Sequence, residues 1–385
     1  MRRREFVARA LGAVGSLGRP TTGLADRDPP PGREHPSPGT LVATLALHYM
    51  TWLDEASWPF ASTWPVLRNP AYSLPRGYDS ADPFVFRRHN ALAEHHGFAW
   101  LWSWWGRRAT RSGDSMLVRY LEGDPEATVP LVLLYEATGI LDADPRGFYS
   151  FDDPVNAGRF VDDIAYLDRT YWRNPRYAHR FLRVDGRPVV FPWVSRNFTG
   201  AWPSAVADAR ARAPFYLVGS EFVLDLDEDG RTPRVRADLP RALSPLDAVS
   251  AYGLYDARYV PKTGRLERDY AARVASALRG WAELLSETAP GVRLIPPLQF
   301  AFDDRYVRPE AANPLLVASG TEALAVASEA RLLLDDAAAG DPRYASVLPL
   351  VFLVSWNEHL EGSAIEWTDE HSYTYLLAAL GAFRR

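Results

Sequence analysis

Three glutamates crowd one short stretch of this chain. Ser355 to Trp367 reads SWNEHLEGSAIEW, with Glu358 and Glu361 three apart and Glu366 close behind. Cleaving a glycosidic bond takes a proton donor at the leaving oxygen and a second carboxylate as base or nucleophile, in environments that separate their pKa values. In a turn or helix, a spacing of three brings both side chains to one side. Packed together in an aromatic-lined cleft they repel, and one keeps its proton near neutral pH. A random E-x-x-E pair on a solvated turn does none of this. Here the pair follows the last of eight strand-like runs, flanked by Trp356, Asn357 and Gly362, and that placement points to chemistry.

Short apolar runs rich in β-branched and aromatic residues recur from Thr40 onward. They are Leu41 to Tyr49, Phe98 to Trp104, Val129 to Tyr135, Pro188 to Val194, Phe215 to Gly219, Ala248 to Ala251, Val292 to Pro297 and Leu348 to Trp356. Amphipathic helices are predicted at Pro83 to His95, Val155 to Trp172, Trp202 to Ala213, Asp269 to Thr288, Gly320 to Ala339 and Ser372 to Phe383. This alternation predicts an α/β fold, a (β/α)₈ TIM barrel forming one domain over residues 40–385 with elaborated βα loops. An open nucleotide-binding sheet would carry a G-x-G-x-x-G or G-x-x-x-x-G-K loop, and the sequence has neither.

In a barrel, catalytic groups sit just beyond the strands' C-terminal ends. Tyr49 and Trp52 follow the first run, Trp104 and Trp105 end the second, and Glu136 follows the third. Trp193, Arg196 and Asn197 come after the fourth, Glu221 after the fifth, Tyr252 and Tyr255 after the sixth, and Gln299 after the seventh. Aromatic faces pack on the C–H faces of sugar rings while carboxylates bind hydroxyls, so this rim suits a sugar. The 13 Trp, 18 Tyr and 17 Phe of the chain read as part core and part sugar-binding rim. One of Trp104 and Trp105 should face the cleft, because alternation along WLWSWWG turns its tryptophans to both sides.

Composition narrows the alternatives. A chain of 385 residues with 47% hydrophobic and 24% charged residues is globular. Its net charge of −5 offers no basic footprint for nucleic acid, and no segment reaches transmembrane length. With no cysteine there is no disulfide, thiolate metal site or cysteine nucleophile. His95-His96 and His371 lack ligand spacing, so no metal is expected. Asp225 to Gly230 resembles half of a calcium loop, but Arg236 stands where a glutamate is needed, and a hairpin turning at Asp229-Gly230 is the better reading. Arg308, in the loop after the seventh run with Asp303 and Asp304, is either a loop clamp or a sugar ligand. The N-terminal Arg3-Arg4-Glu5-Phe6-Val7 and the weakly apolar stretch behind it read as a twin-arginine export signal, with residues 1–39 forming that signal and a Pro-rich linker. Export to the periplasm or exterior is the expectation, with a cytoplasmic protein as the alternative.

SWNEHLEGSAIE resembles the S-[FW]-N-E-W-H-E-G-[ST]-x-I-E segment of glycoside hydrolase family 99, the endo-α-mannosidases and endo-α-mannanases, and of related family 99-like and family 71-like barrels. HYMTW (His48 to Trp52) resembles the family's first-strand Y-Y-x-W, and VPLVLLYE its third-strand run ending in Glu. LDAVSAYG and IPPLQFAFDDRYVRP resemble its F-D-G-I-x-x-Y and I-P-x-V-x-P-x-[YF]-D-D-x-x-x-R-P segments, and Asp162 to Trp193 its helix, N-x-P-x-[FY] turn and following strand. The resemblance implies a retaining α-mannoside hydrolase on a (β/α)₈ barrel, without metal or other cofactor, acting on an oligosaccharide or polysaccharide. It implies Glu358 as the base on the substrate's own 2-hydroxyl and Glu361 as the general acid/base. Glu136 would bind sugar hydroxyls, Tyr252 would lie near the anomeric carbon, and Tyr49 and Asn357 would line the pocket, with Trp52, Trp105, Arg308 and His359 as further substrate contacts. His359-Leu360 replaces the family's Trp-His pair, putting an apolar side chain where a substrate-contacting histidine is expected. A glycosyltransferase or polysaccharide-assembly enzyme of the family 99-like group and a non-catalytic glycan-binding barrel are the rival readings.

Overall fold

The computed structural model describes residues 41–384 except 64, 66–76, 110–111, 221–223, 227–232, 236–241, 253–269, 309–315 and 369. Residues 1–39, expected to be a signal and linker, Glu221, Tyr255 and the Asp229-Gly230 turn lie outside the described residues. The strands Leu224–Leu226 and Pro233–Val235 on either side of that turn pair antiparallel, as a hairpin requires.

All eight predicted strands form. They are β1 Thr44–Tyr49, β2 Phe98–Trp104, β3 Leu131–Tyr135, β4 Arg187–Pro192, β5 Tyr216–Ser220, β6 Ala248–Ser250, β7 in two pieces, Arg293–Leu294 and Pro297–Gln299, and β8 Leu350–Val354. Each pairs in parallel with its neighbours, and β1 lies between β8 and β2. The two pieces of β7 close the circle, Arg293–Leu294 on β6 and Pro297–Gln299 on β8. Pro296 and Pro297 lack the N–H that an unbroken ladder would need, so pairing with β6 ends there, while the β8 side, bonded from Leu294 N to Ser346 O at 2.8 Å, continues as the Pro296 carbonyl accepts from Phe352 N at 3.1 Å.

Helices α1 Pro83–His96, α2 Asp114–Gly123, α3 Pro154–Leu167, α4 Trp202–Arg212, α5 Tyr270–Thr288, α6 Gly320–Ala338 and α7 Thr374–Phe383 surround the strands. Their starts are encoded locally. The Asp82 and Asp153 carboxylates accept from the N–H two residues on, each followed by a proline at the first helical position, and Ser319 and Glu322 form a reciprocal capping box on α6. Helix α2 falls outside the predicted set. It starts at Gly113 with no side-chain cap, and its buried Met116, Leu117, Tyr120 and Leu121 span little more than a turn.

Alternation along the strands divides the core in two. Ala46, Ala99, Leu101, Val132, Leu134, Val189, Phe191, Val218, Ile295 and Phe352 fill the barrel interior. Leu45, Leu47, Tyr49, Trp100, Trp102, Trp104, Leu133, Tyr135, Val351 and Leu353 face outward against the helices. At ~1.5–3 kcal/mol for each large apolar side chain buried, the two layers together hold the strand ends, and thus the mouth, in place. The domain's ends meet where Val42 N donates to Phe383 O at 3.0 Å.

Candidate active site

The loop after β8 is folded tightly on itself. Ser355 N donates to Ser363 O at 3.1 Å, Ser363 N to Glu358 O at 3.0 Å, Ile365 N to Ser355 O at 2.9 Å and Glu366 N to Trp356 O at 3.0 Å. Gly362 turns the chain at φ +61°, and a Cβ there would sit 3.1 Å from that of Asp303, so glycine is needed both for the turn and for the contact. The loop is tied to the first strand as well. Asn357 accepts from Met50 N at 2.7 Å and donates to Met50 O at 3.0 Å, and Trp356 N donates to His48 O at 2.8 Å. This scaffold holds Glu358 and Glu361 over the C-terminal mouth of the barrel.

Glu361 Oε1 accepts from Arg308 Nη2 at 2.6 Å, and Oε2 accepts from the Tyr252 hydroxyl at 3.2 Å. Arg308 also donates to the buried Asp304 at 3.0 Å, so it both clamps the loop and touches the carboxylate. Glu358 is 3% exposed, and its Oε1 accepts from Leu360 N at 3.0 Å and Glu361 N at 3.3 Å. Burial, and then the Glu361 charge, push its carboxyl up to about 8 against those two bonds. Glu136, just past β3, accepts from Ser103 Oγ at 2.8 Å. Burial raises it to about 7, with Glu361 adding to the rise. Burial and the facing carboxylates Glu361 and Glu358 lift the Tyr252 hydroxyl well above its usual range, so it stays a donor. Glu136, Glu358, Glu361 and Tyr252 therefore share one electrostatic environment. The Tyr252 ring packs edge-on to Trp193 at 4.6 Å and to His48 at 5.1 Å. Trp52 and Trp105, both half-buried, meet edge-on at 5.5 Å. Trp104 takes the outward side.

Three expected pocket residues are elsewhere. Tyr49 lies on the outward side of β1, stacked on Trp102 at 5.0 Å with its hydroxyl on His89 Nδ1 at 2.9 Å. Its neighbour His48 takes the inward position, fully buried, with burial lowering the imidazole to about 3. Asn357 commits its amide to Met50. His359 points into the protein, fully buried, with Nδ1 on Thr63 at 3.1 Å and Nε2 on Glu366 at 3.3 Å. Leu360 packs with Trp52 and Phe84 on an apolar cluster of Leu53, Trp58 and Tyr78. Two further rim aromatics also turn away, Trp356 onto Trp100 at 5.3 Å and Trp367 onto Tyr373 at 4.7 Å.

Some residues of this region escape a linear reading. Inward parity on β1 and β2 picks out His48 and Ser103, a signal available from alternation once the strand register is known. The buried cluster around Glu366 has no such signal. Its carboxylate accepts from the Tyr78 hydroxyl at 2.7 Å, His89 Nε2 at 3.2 Å and His359 Nε2 at 3.3 Å, and Tyr78 and His89 lie far away in sequence. Among the described residues no group of three His, Asp or Glu is arranged to hold a metal ion, and no helix is long and apolar enough to cross a membrane.

Neither a protein-family model nor a curated protein sequence matches the chain. Solved structures do. A glycoside hydrolase-like protein superposes with a TM-score of 0.62 at 16% identity, covering 91% of this chain and 97% of its own. Two structures of the GH99 endo-α-mannosidase from Bacteroides thetaiotaomicron, one with bis-tris propane, give TM-scores of 0.55 and 0.52 at 16% identity, each covering 89% of this chain and 96% of the other. At that identity the likeness is one of fold, and the fold is the (β/α)₈ barrel that the sequence predicts.

Proposed function

We propose that this chain is a retaining glycoside hydrolase, endo-α-mannosidase-like, that cleaves an α-linked oligosaccharide or polysaccharide. The observation that carries the reading is Glu358 and Glu361 on one tied loop at the barrel mouth, facing Tyr252 and Glu136 within an aromatic rim. The fold neighbours named endo-α-mannosidases support the substrate class. In this reading Glu358 takes the proton of the sugar's 2-hydroxyl as that oxygen attacks the anomeric carbon, while Glu361 gives its proton to the leaving oxygen. Glu361 then takes a proton from water as the water opens the anhydro-sugar at the anomeric carbon, and Glu358 returns its proton to the 2-oxygen. Atoms and charges balance over the cycle. Glu136 accepts from sugar hydroxyls, and Tyr252 steers Glu361. The chain needs no cofactor, and residues 1–39 direct its export.

One observation favours a second assignment on the same pair. Burial and the Glu361 charge push the Glu358 carboxyl up to about 8, whereas Glu361 accepts from Arg308 and Tyr252. That arrangement suits Glu358 as proton donor and Glu361 as base. Activated aryl α-mannosides separate the two, because a good leaving group needs no acid. If Glu361 is the acid, E361Q keeps most of the rate of aryl release in the first turnover, read as a burst, while losing the glycan and slowing the water step that needs Glu361 as base, and E358Q loses both. The opposite pattern assigns the donor to Glu358. Full activity of both variants on the glycan would overturn the glycosidase reading.

A further inference from the structure

The half-turn that follows Glu136 carries a glycine whose backbone does not require one. Gly139 lies in the short helix Ala137–Ile140, outside the left-handed region, so alanine is permitted there on conformational grounds. What excludes a side chain is Trp105: a Cβ on Gly139 would lie 2.4 Å from Cε3 and 2.9 Å from Cζ3 of the indole. The indole thus rests directly on the glycine. We propose that Gly139 is a specificity-determining residue that sets the depth of the sugar subsite between Trp105 and Glu136. This rests on the glycosidase reading above and assigns the subsite a control that lies outside the carboxylates.

An added methyl has few ways out. The half-turn is braced on one side where Ile140 packs over Gly106, a Cβ on which would lie 3.0 Å from Ile140 Cγ1, while Thr138 and Gly139 are exposed. Gly139 N is bonded to Glu136 O at 3.0 Å and Leu141 N to Ala137 O at 2.9 Å. Glu136 itself is pinned by Ser103 at 2.8 Å. The indole is the movable partner, and restoring ordinary contact displaces its ring by ~1 Å, toward the space a pyranose occupies when it stacks on the indole and bonds Glu136. A sugar subsite tolerates such a shift poorly.

The test is a double-mutant cycle of G139A and W105F, with KM and kcat measured on an α-linked manno-oligosaccharide and melting temperature recorded for each variant. The expected result is a KM raised at least tenfold in G139A with kcat within threefold of wild type, and no G139A penalty in the W105F background, where the smaller ring accommodates the methyl. An unchanged KM in G139A, or the same penalty in both backgrounds, overturns the proposal. So does a G139A chain that folds only in the W105F background, since the contact then serves the fold and not the sugar. If the wild type binds the oligosaccharide without turnover, the glycosidase reading falls alone and the same ratios are read in Kd by calorimetry. If it neither binds nor hydrolyses, both fall together.

Discussion

Glu358 and Glu366 sit on one loop, both 3% exposed, and their carboxyls are driven in opposite directions. Burial raises each of them. At Glu358 little opposes it: two backbone N–H groups share one oxygen, and the neighbouring Glu361 charge adds to the rise. At Glu366 burial is outweighed by His89 and His359, whose contacts hold the carboxyl well below its usual range, with Tyr78 as a third donor. On their far sides the His89 Nδ1 lies 2.9 Å from the Tyr49 hydroxyl and the His359 Nδ1 3.1 Å from the Thr63 hydroxyl. Residue type and depth are the same in the two places, so the charge and hydrogen bonds of the neighbours decide the direction, histidines at Glu366 and a second carboxylate at Glu358. One region is left under-satisfied, as the proposed catalysis needs. The other is saturated, and it holds the loop.

The sharpest way to break the comparison is at the mouth. E361Q and E358Q should each lower kcat on the glycan by about 10³- to 10⁴-fold, the usual range for a lost acid or base together with its charge. Melting temperatures should stay at or above wild type. At the saturated site the order reverses. E366Q leaves the two Nε2–H groups and the Tyr78 hydroxyl facing an amide, and should cost about 3–5 kcal/mol of stability, read as a lowered denaturation midpoint, with a smaller loss of kcat per folded molecule.

The pH dependence sharpens the contrast further. Folding raises Glu136 and Glu358 from 4.5 to about 7 and about 8, so between those values the folded chain binds more protons than the unfolded one. Stability contributed by these groups is complete below pH 4.5 and is lost as pH rises toward 8, at about 1.4 kcal/mol for each tenfold difference in proton affinity between the folded and unfolded chains. E358Q should flatten that decline, checked by melting temperatures at pH 5 and pH 8. The smallest effect is expected from S103A. It removes the hydroxyl that favours the Glu136 carboxylate, costing about 1 kcal/mol and raising KM a few-fold with kcat nearly unchanged.

Much of the scaffold is legible in the sequence. Apolar runs of strand length and capped amphipathic stretches are local signals, and all eight strands form where those runs lie. Helix α2 lacks a cap, and the end of β7's pairing with β6 follows from two prolines whose effect depends on which strands flank them. Residues of the barrel mouth are legible where position alone places them, as for Glu136, Tyr252, Glu358 and Glu361. Tyr49, Asn357 and His359 depart from expectation because a residue near a strand end can face the cleft, the helices or the backbone beside it, and one step along β1 exchanges Tyr49 for His48.

The sequence by itself determined the barrel, the order of its strands and the carboxylate loop after the last of them, since each is written in residues close to one another along the chain. Only the tertiary structure decided which side chains enter the cleft and which glutamate keeps its proton. Those outcomes depend on donors brought from afar, Tyr78 and His89 to Glu366 across 288 and 277 positions and Tyr252 to Glu361 across 109. No spacing rule encodes such contacts, and at a buried carboxyl they set the energy.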